Sequence, residues 1–261
     1  MNMMRFTTMK TKLRKYPSIF LILLLAISSC FLTGCVNQHP KDSKKSSQGE
    51  SVETMLEITD PKEKQAVLNA KAKVKALSGN PRIVATSPAV ADICDKLDLD
   101  LVGVPKSSVS KIPSRYKKVK KVGLAMSPDM EIVSSLNPDW ILAPSSLETD
   151  LKPKFEELKN TEYAFLNLRS VQGMYRSVQE LGEIFGKQQE AEKMTKEFTT
   201  FYKSYTKRNK NKKHPKVLVL MGLPGSYVIA TENSYVGSLV KLAGGENVYQ
   251  NADQEFLTVN T

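Results

Sequence analysis

Read from the amino terminus, the pattern of apolar and polar positions changes character several times. Nine consecutive apolar residues, Ile19 to Ile27, follow a stretch that carries Arg5, Lys10, Lys12, Arg14 and Lys15 and no acid. Residues 37–51 are rich in Ser, Lys, Gln and Asp and hold few large apolar groups, too few to bury a core. Over residues 52–77 a weak helical spacing (Val67, Ala70, Val74, Leu77) predicts a solvated helix or spacer. From Pro81 onward short apolar runs alternate with helical periods. Strands are predicted over 82–86, 101–104, 140–143 and 163–167, and helices over 89–97, 130–136 and 151–158. Ser127 is the expected cap of the second helix, with Pro128 in its first turn. Such alternation predicts an α/β unit whose mostly parallel sheet is covered on both faces.

The next segment differs. From Val171 to about Asn209 there is no proline, and Val171, Met174, Val178, Leu181 and Phe185 keep a three-and-four spacing. Met194, Phe198, Phe201 and Tyr205 resume that stripe, which predicts one long amphipathic helix with a kink near Gly186. A second α/β unit then opens with a strand over 216–221, a turn at Gly222 to Ser226, a strand over 227–230 and a helix over 235–243 capped by Ser234. The 48 residues from His214 onward are too few for a core like the first one, so this unit reads as incomplete.

The leading segment has its own chemistry. A basic region, a short apolar run and the small-residue sequence Leu32-Thr33-Gly34-Cys35 are the parts of a secretory signal. The apolar run is too short to span a bilayer core, which needs about 20 apolar residues. The last four residues match the bacterial lipobox, in which the cysteine receives lipid and becomes the first residue. Two or more acyl chains hold stably where one binds reversibly, so Cys35 is the expected anchor to a membrane's outer face.

Net charge adds less than it first promises. The chain carries 38 Lys+Arg and 27 Asp+Glu; without the five basic residues of the leader, 33 face 27 and the excess is about +6. No nucleic-acid motif accompanies that excess. Of three cysteines, Cys30 leaves with the leader and Cys35 takes lipid, so Cys94 has no partner and reads as a small buried hydrophobe. There is no nucleophile elbow, metal-protease helix or phosphate-binding glycine loop, so no enzyme is expected. The expected organisation is a leader over 1–34, Cys35 and a polar tether over 35–80, a first lobe over 81–168, a linking helix over 169–213 and the start of a second lobe over 214–261.

Two α/β lobes joined by one long helix on a lipid tether resemble the substrate-binding lipoproteins of ABC transporters for iron chelates, haem and cobalamin. Lys96-Leu97-Asp98-Leu99, Ile112-Pro113-Ser114-Arg115-Tyr116, Gly123 to Pro128, His214 to Leu218 and the run Met221 to Asn247 are similar to the haem-binding members of that class. The resemblance covers roughly residues 81–261, and the tether has no counterpart in it. It implies a cleft between the lobes that holds haem b as cargo, with an ABC permease, and possible surface haem-relay proteins, as partners and no nucleic acid. A ferric siderophore or cobalamin is the alternative cargo of the same fold, and a surface lipoprotein without ligand is a further reading.

The resemblance also implies residues. The family's iron-binding methionine falls on Met126, and a Met/His pair is an established way of holding haem iron. Neither His39 nor His214 matches the family's histidine. Propionate contacts map to Pro88, Ala89, Ser107 and Ser108. Helix amino-terminal amides favour anions, but Pro88 has no N–H, so Ala89 would supply the donor. Ser108 stands where the family has an aromatic hydroxyl and cannot stack on a porphyrin. Gly225, Ser226 and Tyr227 border the expected second-lobe side of the cleft without an assigned role.

Overall fold

A computed structural model describes residues 5–6, 56–223, 225–250 and 252–258. The leader's apolar run, Cys35, His39 and the tether over 37–51 lie outside the described residues. Five strands run parallel: Ile83–Ala85 (β2), Leu101–Val104 (β3), Lys120–Lys121 (β4), Trp140–Pro144 (β7) and Glu162–Leu166 (β8). Their order is β8-β7-β2-β3-β4. Arg5–Phe6 (β1), two residues of the segment read as a leader, lies antiparallel beside β8.

In β2, β3, β7 and β8 strand side chains alternate between two buried layers, which is why these runs read as continuously apolar, whereas the edge strand β4 is exposed or half-buried. Ile83, Trp140, Leu142, Ala164 and Leu166 point to one layer. Val84, Ile141, Ala143, Tyr163 and Phe165 point to the other. The first layer is covered by helix Pro88–Lys96 (α2), whose Val90, Ala91, Ile93 and Cys94 are buried. The second is covered by Met130–Ser135 (α3) and Glu148–Glu156 (α4), with Val133, Leu151 and Phe155 as their buried contacts. Because α2 leaves β2 toward one layer and α4 leaves β7 toward the other, the sheet has a switch point between these neighbouring strands. Ligands of open α/β sheets bind in the crevice outside such a point.

Asp129, not Ser127, caps α3: its carboxylate accepts from the N–H groups of Glu131 and Ile132, each at 3.1 Å. Ser127–Pro128 (β6) instead pairs with Gly123–Leu124 (β5) in a small hairpin. Both a helix cap and a strand fit a Ser-Pro-Asp sequence, and the hairpin decides between them.

A helix spans Pro61–Lys75 (α1), where sequence predicts a solvated helix or spacer, but it is docked rather than solvated. Val67 and Ala70 join the first apolar layer, and Glu63 is 5% exposed. Lys71 pairs with Glu183 at 2.7 Å, and Lys73 pairs with Glu162. The ordered chain therefore includes a docked helix ahead of Pro81.

The segment read as one helix from Val171 to Asn209 is two helices, Val171–Phe185 (α5) and Gln188–Asn209 (α6). Gly186 ends α5 in the left-handed conformation at φ 71°, a conformation glycine adopts without strain. Gly182 faces Ala191, and Tyr175 stacks on Phe198 at 4.5 Å. Positions descending on α5 thus meet positions ascending on α6, so the two form an antiparallel hairpin. One long helix, α6, then leads to the second unit.

That unit splits the predicted strand over 216–221. Lys216–Val217 (β9) pairs in parallel with Glu246–Asn247 (β12), while Val219–Leu223 (β10), Ser226–Ala230 (β11) and Phe256–Thr258 (β13) form an antiparallel sheet. Helix Tyr235–Leu242 (α7) is capped by Ser234, as the sequence predicts. It docks on the first unit through Ser238, whose Oγ accepts from the Val171 N–H at 3.4 Å, and Arg169 pairs with Glu255. Leu218, Leu220 and Val248 are more than half exposed, unlike the residues of the first core.

Candidate functional site

The expected first-lobe site residues all follow the carboxyl ends of parallel strands: Pro88 and Ala89 after β2, Ser107 and Ser108 after β3, and Met126 after β4. Met126 occupies the two-residue tip of the β5–β6 hairpin, between Leu124 and Ser127, and is 73% exposed. The hairpin base is braced on three sides. Val122 N–H donates to Val104 O at 2.9 Å, Asp129 N–H to Val122 O at 2.7 Å, and Lys106 N–H to Gly123 O at 2.6 Å. Gly123 sits at φ +96°, and a Cβ there would come within 2.9 Å of the Asp129 nitrogen. Only glycine fits that backbone. The result is a thioether held out toward solvent on a fixed mount.

The Lys106–Gly123 bond also joins the serine loop to this hairpin. Ser107 is half-buried and its Oγ accepts from Ser110 N–H at 2.9 Å, which leaves its O–H free to donate outward. Ser108 is exposed. At the start of α2, Ser87 Oγ accepts from Val90 N–H at 3.3 Å, and Ser87 O accepts from Ala91 N–H at 3.0 Å. Among the described residues no acceptor takes the Ala89 N–H, and Ala89 is exposed. It is the free main-chain donor at a helix amino terminus, the position that favours anions.

Ala89 also lines a cavity of about 710 Å³. Ile93, Leu168, Met174 and Met194 line it together with Tyr175 and Tyr235 and with charged side chains such as Asp92, Lys96 and Glu190. Met126, Ser107 and Ser108 do not line it. Sequence reading missed this space because it arises where α2, α5 and α6 meet, and those contacts depend on the reversal at Gly186.

Other candidates settle into structural roles. Cys94 is fully buried, and burial pushes its thiol up to about 12, so it is neither nucleophile nor ligand. His214 holds the base of the second unit, with Nδ1 2.7 Å from the Gly244 carbonyl. Gly225 adopts φ +77° within the β10–β11 turn, Ser226 is exposed and Tyr227 is 41% exposed. Among the described residues no group of three or more His, Cys, Asp or Glu could hold a metal ion. No described helix is long and apolar enough to cross a membrane.

A doubly covered parallel sheet, a polar carboxyl edge at its switch point and one long helix leading to a second sheet define a binding protein of the bilobal α/β class. Residues 83–261 match the periplasmic binding protein family, and the chain belongs to it. Over 185 residues the chain is 41% identical to the high-affinity heme uptake system protein IsdE of Staphylococcus aureus strain Newman, covering 70% of this chain. The chain spans 63% of the length of that relative. The crystal structure of S. aureus IsdE complexed with heme superposes with a TM-score of 0.65 at 40% identity, covering 70% of each chain. An ABC transporter substrate-binding protein from Listeria monocytogenes EGD-e superposes with the same TM-score at 46% identity, again covering 70% of each chain. These relatives are transport components, not enzymes.

Proposed function

We propose that this protein is a haem receptor: it captures haem b at the carboxyl edge of its first sheet, facing the second unit, and delivers it to an ABC permease for iron acquisition. The observation that carries the reading is Met126, an exposed thioether on a braced hairpin in a chain 41% identical to a heme uptake protein. A thioether is a soft, neutral donor suited to haem iron. The Ala89 N–H and the Ser107 and Ser108 hydroxyls stand on neighbouring strand ends as donors for propionates. Cys35 carries the lipid that holds the receptor on the outer face of the cell membrane, and the polar segment after it serves as the tether. Surface haem-relay proteins are candidate partners alongside free haem.

Titration of the protein with haemin, read in the Soret band, tests the receptor reading. The expected result is a shifted, saturable band that Met126→Ala weakens by roughly tenfold or more, the scale of a lost metal ligand or its support. A band that does not saturate, or one that Met126→Ala leaves untouched, overturns the assignment of the site. Metabolic labelling with a fatty acid, lost in Cys35→Ser, tests the anchor.

A further inference from the structure

The carboxyl ends of α6 and α7 converge. Tyr205 O–H donates to Ala243 O at 2.9 Å, and His214 Nδ1 lies 2.7 Å from Gly244 O. This meeting gathers Lys207, Arg208, Lys210, Lys212, Lys213 and Lys241, all exposed, around the junction of the two helix ends. Among the described residues none of the six forms an ion pair. Between Glu197 and Glu232 the chain has no acidic residue at all. Lys216 stands in register with Glu246 across β9 and β12, so it is left out of the surface.

A helix dipole accounts for only part of this charge. Cations in the last turn complement the negative pole, and the effect fades within that turn. Lys207 and Arg208 occupy the last turn of α6. Lys210, Lys212 and Lys213 extend past it, and Lys241 belongs to another helix. Unpaired cations held this close repel one another, and an anionic partner relieves that repulsion.

We propose that this basic surface docks on the anionic phospholipid headgroups of the membrane that carries the lipid anchor. The proposal rests on the anchored-receptor reading, because the tether is what keeps the surface within a Debye length of headgroups often enough to matter. Lysines and arginines near an anionic membrane surface add their attraction residue by residue, and it falls off within that length. Docking would hold this basic surface against the membrane.

The test uses the chain from Val36 onward, which keeps residues 51–261 of the compact unit and omits only its short piece over residues 1–7. Lacking Cys35, it makes the outcome independent of lipidation. Partition onto phosphatidylcholine vesicles is compared with and without phosphatidylglycerol, at low and high salt. The expected result is binding only to the anionic vesicles, lost at high salt, and reduced roughly tenfold or more when all six cations become Gln. Replacing the five lysines by Arg should preserve it. A control variant with Gln at Lys62, Lys64, Lys111, Lys117, Lys118 and Lys159 should bind as the parent does. Failure to bind anionic vesicles, or an equal loss in the control variant, overturns the proposal. A haemin titration of the same six-Gln variant should match the parent, which separates this surface from the ligand site.

Discussion

Glu63 of α1 and Glu180 of α5 face each other carboxyl to carboxyl in the seam between their helices, 5% and 0% exposed. Among the described residues neither oxygen of Glu180 has a hydrogen-bond partner, and two buried carboxyls this close favour a state in which one carries a proton. Burial pushes the Glu180 carboxyl well above the usual range; the contact with Glu63 raises it further, and the Arg176 guanidinium partly offsets both. Because the folded value is raised, the stability linked to this group is fully present below its unfolded value. It is lost as pH rises toward and through the folded value. Glu180→Gln keeps the shape and supplies an N–H donor without a titration. It should stabilise the protein near neutral pH by about 1–3 kcal/mol. Thermal melts from pH 5 to 9 check this: the gap between variant and parent should widen with pH, and a constant gap would exclude the shared proton.

The same seam makes α1 part of the folded unit. A chain beginning at Pro81 loses the burial of Leu56, Val67 and Ala70 and exposes Glu180. Apolar area of that size is worth roughly 2–4 kcal/mol. The chain from Pro81 should therefore melt several degrees below the chain from Ser51. Equal melting temperatures would mean that α1 docks without contributing stability.

Gly123→Ala tests how Met126 is presented. The added Cβ meets the Asp129 nitrogen at 2.9 Å, on a backbone at φ +96° that costs a side chain roughly 1–3 kcal/mol. The strain falls on the hairpin, while the sheet core beneath it is untouched. Haemin affinity should drop as far as it does in Met126→Ala, with far-ultraviolet circular dichroism unchanged. Affinity equal to the parent's would show that the mount does not matter to binding.

Much of this molecule is legible in its sequence where one physical rule acts alone. The parallel strands β2, β3, β7 and β8 are continuous apolar runs because both faces are buried, and Ser234 marks a helix start by side-chain capping, whereas β4, Lys120–Lys121, carries no apolar signal and Gly186 reads as a kink rather than a helix end. Legibility fails where tertiary contacts choose between local options. Val67 and Ala70 are small and sit among lysines, so α1 reads as solvated until α5 supplies its partner. Ser127-Pro128-Asp129 fits a helix start, yet hairpin pairing pulls the first two residues into a strand. Met126 has no local signature at all. Nothing in its own neighbourhood separates it from nine other methionines, and only the resemblance of Gly123 to Pro128 to the haem-binding lipoproteins singles it out before the hairpin is seen.

The α5–α6 reversal is open to a test of sign rather than size. In a single continuous helix, Gly182→Ala would add stability, since alanine is favoured over glycine in a helix interior by roughly 1 kcal/mol. In the antiparallel hairpin, the new Cβ would come within 2.6 Å of the Ala191 Cβ and 3.1 Å of the Lys187 carbonyl oxygen. Neither neighbour has room to move: Ala191 is 3% exposed, and Lys187 O accepts the Ala191 N–H at 3.1 Å. Overpacking of that kind costs about 1–3 kcal/mol, enough to outweigh the propensity gain. Gly182→Ala should therefore lower the melting temperature. Ala191→Gly in the same chain should restore part of the loss, because it removes the atom that the new methyl strikes. A rise in melting temperature on Gly182→Ala alone would mean that the segment runs on as one helix through Gly186.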